Sequence, residues 1–145
     1  MKKMIMLGIF MSASIAGEVA ADCETETILS VDALSTLLSG NTVCAQKANG
    51  DQWQEYHEPS GKIFDYKKGP NDPVDPTKEM GTWEITDRGA ICYSYGGGNF
   101  IYCYSVHKVP EQELYQFCTS PLPATGNALD VTASILEGNN GCGFN

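Results

Sequence analysis

The sequence predicts a mainly β domain: a small antiparallel up-and-down barrel, or a strongly curled sheet of about seven or eight strands, with one short N-terminal helix and disulfide staples. Three observations carry this prediction. From residue 42 onward apolar and polar residues alternate with period two rather than at helical spacing. The alternating runs are short and joined by turn-rich links, which favours antiparallel neighbours. Six cysteines occur in a chain of 145 residues, long enough for one core and too short for two comfortable domains.

The helix is expected over residues 30–39. Ser30 can cap it, Asp32 suits its positive end, Gly40 can close it, and Val31, Leu34, Leu37 and Leu38 form a single apolar stripe. Strands are expected over residues 42–46, 52–58, 62–66, 81–86, 90–95, 100–108, 113–119 and 128–136. The breaks are Pro59-Ser60-Gly61, Asp87-Arg88-Gly89, the glycine cluster at 96–99 and the segment 121–126. Residues 69–79, with three prolines, read as the one long loop. Closing the sheet hides its edges, and the helix then plugs one end or packs outside.

The N-terminus reads as a targeting segment. Met1-Lys2-Lys3 is followed by residues 4–15 without a charge, then by Val19-Ala20-Ala21, whose small residues suit cleavage after Ala21. The uncharged run is shorter than the roughly 20 residues of a membrane span. Asp22 before Cys23 does not fit a lipoprotein signal, which needs a small neutral residue there. The expectation is a signal peptide over 1–21 and a single soluble domain over 22–145, periplasmic or secreted. Removing residues 1–21 takes away Lys2, Lys3 and Glu18, which leaves 7 basic and 17 acidic residues and a net charge of −10. That balance argues against nucleic acid and anionic lipid as partners, and no stable membrane insertion is expected.

In a small exported domain an even cysteine count reads as disulfides. No Cys-x-x-Cys pair exists and both histidines are isolated, so no metal site is expected. The glycine cluster forms a hairpin turn between two aromatic runs, and a turn centred between Gly97 and Gly98 sets Cys92 directly opposite Cys103. For Cys23, Cys44, Cys118 and Cys142, proximity along the chain favours Cys23–Cys44 and Cys118–Cys142.

No nucleophile elbow, His-Glu-x-x-His run or paired-carboxylate signature is present, so no catalytic residue and no cofactor are assigned. His57 and His107 read as surface or half-buried strand residues. Asp72, Asp75 and Glu79 lack calcium-loop spacing and read as a solvated acidic loop. Gly96-Gly97-Gly98 precedes no helix and is no phosphate cradle. The aromatic hairpin is the most distinctive feature. Alternation places Tyr93, Tyr95, Phe100, Tyr102 and Tyr104 on one face, with Cys92, Ser94, Ile101, Cys103 and Ser105 on the other. These aromatics either fill a small barrel or form a ligand cup or protein-binding patch; with Trp83 they are the candidate binding residues.

Several of these segments together resemble a known family. Leu37-Leu38-Ser39-Gly40-Asn41-Thr42, the Ser60-Gly61 turn, Gly81-Thr82-Trp83-Glu84-Ile85, Ile91-Cys92-Tyr93 and Cys103 follow one another as in small secreted proteobacterial proteins known from rhizobia and brucellae. That family is catalogued as domain of unknown function 995. The resemblance spans most of residues 30–110 and implies a β-rich bacterial protein of the periplasm or exterior, with no catalytic residue to carry over. Gly81-Thr82-Trp83 also resembles the Gly-x-Trp of lipocalin barrels, although it lies mid-chain here. Ser60-Gly61-Lys62-Ile63-Phe64 is similar to the Ser-Gly-x-x-Tyr loop of periplasmic lysozyme inhibitors, with Phe64 in place of the tyrosine. The expectation is a non-enzymatic binding or envelope-associated protein of a Gram-negative bacterium, taking an unknown protein or a small apolar ligand. Inhibition of a basic enzyme such as lysozyme is the alternative, and hydrolysis the weakest reading.

Overall fold

The computed structural model describes residue 23 and residues 27–67, 78–119 and 128–144. The expected signal segment and the 121–126 turn lie outside these residues. Helix α1 (Val31–Leu38) precedes eight strands: β1 (Thr42–Gln46), β2 (Gln52–His57), β3 (Lys62–Lys67), β4 (Lys78–Ile85), β5 (Ile91–Tyr95), β6 (Phe100–Lys108), β7 (Tyr115–Thr119) and β8 (Ala128–Leu136). Each strand pairs antiparallel with the next, and β1 pairs with β8 from Thr42↔Leu136 to Gln46↔Thr132. The sheet is therefore a closed up-and-down barrel, which removes the edges an open sheet exposes.

The Ser30 side chain caps α1 by accepting from the Ala33 N–H at 3.3 Å, and Gly40 ends it at φ +78°. Leu34 and Leu38, one turn apart, are fully buried and join Ile63, Ile91 and Val106 in the core. The helix thus plugs one end of the barrel. Val31, counted in the expected apolar stripe, stays exposed; the buried stripe is the narrower Leu34–Leu38 line flanked by Leu37. The Gly40 N–H donates to the His57 carbonyl at 2.7 Å and the His57 N–H to the Asn41 carbonyl at 2.9 Å, tying the plug to the end of β2.

Among the described residues three β-bulges interrupt the ladder. In the last, Phe117 faces Val131 while Cys118 faces Leu129, so Asp130 is the extra residue. The loop expected over 69–79 ends earlier than its composition indicates. Lys78 and Glu79 belong to β4, opposite Asp65 and Phe64, and Glu79 meets Lys62 Nζ at 2.9 Å. Cross-strand pairing overrides the local polarity at that end. Strand β7 starts two residues later than expected, because Val109 N–H closes a loop on the Leu114 carbonyl at 2.9 Å.

Strand β6 outruns β5, whose pairing stops at Ile91↔Tyr104. The N-terminal segment takes over the free stretch: Ile28 bridges His107, and Leu29 N–H donates to the Val106 carbonyl at 2.8 Å. Cys23 then bonds to Cys118 on β7. At the other terminus Cys142 bonds to Cys44 on β1, with its N–H donating to Gln54 Oε1 at 2.7 Å. These two bridges correct the expected Cys23–Cys44 and Cys118–Cys142 pairs. Barrel closure brings residues 95 and 98 positions apart in sequence together, and it outweighs chain proximity. The hairpin bridge Cys92–Cys103 forms at directly opposed positions, Cα atoms 4.1 Å apart, as the turn register requires.

Gly81 lies opposite Tyr95, and a Cβ there would run into the Ser94 carbonyl and come within 3.2 Å of the Tyr95 ring. The glycine of the Gly-Thr-Trp segment is thus required by close backbone approach rather than by a turn. Gly81→Ala is expected to lower stability by about 2 kcal/mol, measured as a shift of the urea midpoint; an unchanged midpoint would show that β4 and β5 separate there without cost.

Candidate functional site

Alternation sends residues 43, 45 and 47 of one hairpin arm and 51, 53, 55 and 57 of the other to the barrel interior. Towards α1 the interior is filled by aliphatic side chains. Towards the β1–β2 and β5–β6 hairpins it opens into a cavity of about 390 Å³, lined by Val43, Ala45, Lys47, Asp51, Trp53, Glu55, Tyr93, Tyr95, Tyr102, Tyr104, Phe117 and Val131. That volume lies in the range of small-molecule pockets. The aromatic walls are continuous. Tyr93 stacks on Tyr95 at 6.3 Å between centroids, Tyr95 tilts against Tyr102 at 6.2 Å, and Tyr104 meets Tyr93 and Phe117 at 6.1 Å each.

Polar groups are placed among these rings. The Glu55 side chain is buried and its Oε1 accepts the Tyr95 hydroxyl at 2.6 Å, the short length of a charge-assisted bond. The Tyr104 hydroxyl donates to Asp130 Oδ2 at 3.1 Å, and Asp130 Oδ1 lies 3.3 Å from Lys47 Nζ. The bulge on β8 lets Asp130 reach these interior-facing partners from a strand whose neighbours Val131 and Ala133 pack in the core. His57, fully buried below the cavity, is the third station. Its Nδ1 lies 3.1 Å from the Glu55 carbonyl, an acceptor only, so Nδ1 carries the proton and Nε2 accepts the Tyr93 hydroxyl at 3.0 Å.

These contacts set the ionisation. Burial, outweighing the Glu55 carbonyl bond, pushes His57 down to about 4, so it is neutral at ordinary pH. Burial and then the Glu55 charge hold the Tyr93 and Tyr95 phenols above their usual value, while burial and then Asp130 do so for Tyr104. All three phenols keep their protons and donate them to neighbours within the wall.

Of the six aromatic residues singled out from sequence, Tyr93, Tyr95, Tyr102 and Tyr104 line the cavity. Phe100 shares their face but projects beyond the rim, 58% exposed beside Ile101 at 65%. Trp83 lies outside the cavity lining, edge-on to His57 at 5.4 Å, its Nε1–H donating to the Glu58 carbonyl at 3.1 Å. No family model, curated protein or solved structure matches this chain.

Both histidines are fully buried, against the surface or half-buried positions expected. His57 is enclosed by the barrel wall and plug. His107 faces outward from β6 but is covered by the N-terminal segment, with Ser105 Oγ 2.9 Å from its Nε2. The spacing is that of a nucleophile and base, yet Ser105 is itself buried there and its hydroxyl also reaches the Cys118 carbonyl at 3.5 Å. Cys23, His107 and Cys118 gather donor atoms within 4.8 Å, with the two sulfurs joined to each other. Glu79, the described member of the acidic loop, pairs with Lys62 instead.

Polar and aromatic residues of the site missed from sequence include Lys47, Asp51, Trp53 and Glu55, which line the cavity, and Asp130, which meets Tyr104 and Lys47 from the bulge. The period-two rule applied to the hairpin at 91–104 also puts Trp53, Glu55 and His57 on one face, a combination of ring, acid and imidazole that a purely apolar core does not call for. Asp130 carries no such signal, since nothing in Leu129-Asp130-Val131 marks a bulge.

His57 yields a pH prediction with a definite sign. The unfolded chain takes up this proton near 6.5 and the folded chain only near 4, so its contribution is complete above pH 6.5 and declines as pH falls towards 4. Between pH 6.5 and 5 the wild type is expected to lose about 2 kcal/mol more than His57→Gln, measured by urea unfolding of both; parallel profiles would overturn the assignment.

Proposed function

We propose that this chain is an exported, non-enzymatic binding protein that holds a small molecule in the barrel cavity. The observation that carries this is the cavity of about 390 Å³ whose aromatic walls enclose a buried carboxylate and three placed hydroxyls. Such a mixture of apolar area and few oriented polar atoms is the ordinary composition of a ligand site. A core evolved only for packing fills such volume with side chains, as Leu34, Leu38, Ile63, Ile91 and Val106 do at the α1 end. Export is supported by three disulfides that pin both ends of the described chain and by the targeting pattern of residues 1–21. Among the described residues no helix is long and apolar enough to cross a membrane.

The test uses the full chain expressed with its own N-terminus and purified oxidised. The neutral fluorophore 1-N-phenylnaphthylamine is expected to bind with one site and to quench tryptophan emission, Trp53 being in the wall. Ala45→Leu, which fills the cavity from a lining position, is expected to weaken binding at least about tenfold while preserving the far-ultraviolet spectrum. No binding to the wild type, or equal binding to the variant, would reject the cavity as the site.

A second reading, inhibition of a basic enzyme, has one observation in its favour. Phe100, Ile101 and Tyr102 form three consecutive large apolar residues at the β5–β6 tip, 58%, 65% and 49% exposed, on an acidic protein. If the tip docks a basic enzyme such as lysozyme, the wild type lowers lytic activity in a salt-sensitive manner and Phe100→Ser with Ile101→Ser abolishes the effect. Full lytic activity in the presence of excess wild type would dispose of this reading.

A further inference from the structure

The β5–β6 hairpin carries a surface that the cavity does not explain. Residues 89–107, which hold β5 and all of β6 but its last residue, contain no Asp, Glu, Lys or Arg, on a chain with 9 basic and 18 acidic residues. At the tip of this uncharged hairpin Phe100, Ile101 and Tyr102 stand exposed in succession. Phe100 and Tyr102 point to one side of β6 and Ile101 to the other, so the tip is apolar on both faces, where an ordinary surface hairpin alternates apolar with polar. The tip is also rigid. Tyr95 pairs with Phe100, Cys92 bonds to Cys103, and the Tyr95 ring lies 6.2 Å from that of Tyr102. The turn closes on itself through Asn99 Nδ2, which donates to the Gly96 carbonyl at 2.7 Å. Seating this tip on a partner therefore orders no loop.

The chemistry of the tip separates the partners. A stable protein interface takes roughly 800 Å² of matched surface on each side, and three side chains supply only a fraction of that. A lipid surface asks for neither matched area nor directional bonds. It admits a short apolar element into the headgroup boundary, where tyrosine is favoured because its ring is apolar and its hydroxyl wet. The kind of lipid follows from the charge. At net −9 the chain is repelled by an anionic leaflet, while the uncharged hairpin approaches a zwitterionic one without stripping water from any ion. We propose that the β5–β6 tip seats reversibly on an electrically neutral lipid surface, with Phe100, Ile101 and the Tyr102 ring entering the headgroup region. The contact is peripheral, since a single tip is too short to span a bilayer. It brings the cavity mouth, which Tyr95 and Tyr102 of the same hairpin line, beside the membrane. Seating of the tip does not require the cavity to be occupied.

The full chain, expressed with its own N-terminus and purified oxidised, is sedimented with sucrose-loaded vesicles of phosphatidylcholine, and with vesicles in which part of that lipid is replaced by phosphatidylglycerol. The wild type is expected to pellet with millimolar phosphatidylcholine, and less with the anionic vesicles at low salt. Phe100→Ser with Ile101→Ser, two positions outside the cavity lining, is expected to weaken partition at least about tenfold while the far-ultraviolet spectrum and 1-N-phenylnaphthylamine binding stay. Any contribution of residues 1–21 is common to both chains, so their ratio reports the tip. Ile101→Trp supplies a second route: the added emission is expected to be quenched by brominated phosphatidylcholine. No pelleting of the wild type with phosphatidylcholine, equal pelleting of the double variant, tighter binding to the anionic vesicles, or an unquenched tip tryptophan overturns the lipid inference. Tip-dependent inhibition of lysozyme without vesicle binding does so too, and assigns the tip to a protein. Vesicle binding without naphthylamine binding upholds the lipid inference and removes only the cavity reading.

Discussion

The pairing of β1 with β8 is the constraint on which the remaining structure depends. Five residue pairs, from Thr42↔Leu136 to Gln46↔Thr132, convert a meander into a closed surface with an inside. Closure makes the alternation of every strand meaningful, because each second residue then points to one enclosed volume. It also places the segment after β8 beside β1, where Thr42 Oγ1 donates to the Gly138 carbonyl at 2.8 Å and accepts from Asn140 N–H at 3.1 Å. Cys142 reaches Cys44 as a consequence of that return.

Within the closed surface the interior is graded. At the α1 end Leu34, Leu38, Ile63, Ile91 and Val106 pack together and supply hydrophobic stabilisation. Further along, His57 and Tyr93 exchange a single hydrogen bond, and beyond them lie the carboxylates and phenols of the cavity. Among the described residues no buried side-chain nitrogen or oxygen lacks a partner. The polar half is therefore a satisfied network, the condition under which buried polar groups rigidify a structure rather than weaken it.

Much of this architecture is legible in the sequence. Period-two alternation and turn residues specify the strands closely, and the Gly-rich turn specifies the Cys92–Cys103 register, because both signals are local. Four of the cavity tyrosines follow from the same alternation. What is not legible is set by closure or by irregularity. Cys23–Cys118 and Cys44–Cys142 depend on which strands become neighbours across the whole chain. The burial of His107 depends on a segment that crosses β6 from outside, and the placement of Asp130 depends on a bulge without a sequence mark. Lys78 and Glu79 look like loop until their partners on β3 are known.

The disulfide pattern has a kinetic corollary. Consider a chain delivered N-terminus first into an oxidising compartment. Cys23 and Cys44 arrive early, while their native partners, Cys118 and Cys142, arrive last. In that interval each early cysteine has the other as its nearest thiol, and the short loop between them closes more readily than either native one. The order of synthesis thus favours a bond the finished barrel does not contain. On such a route the native pairs form only if those two thiols stay reduced until β8 docks on β1 or the premature bond is broken by thiol–disulfide exchange.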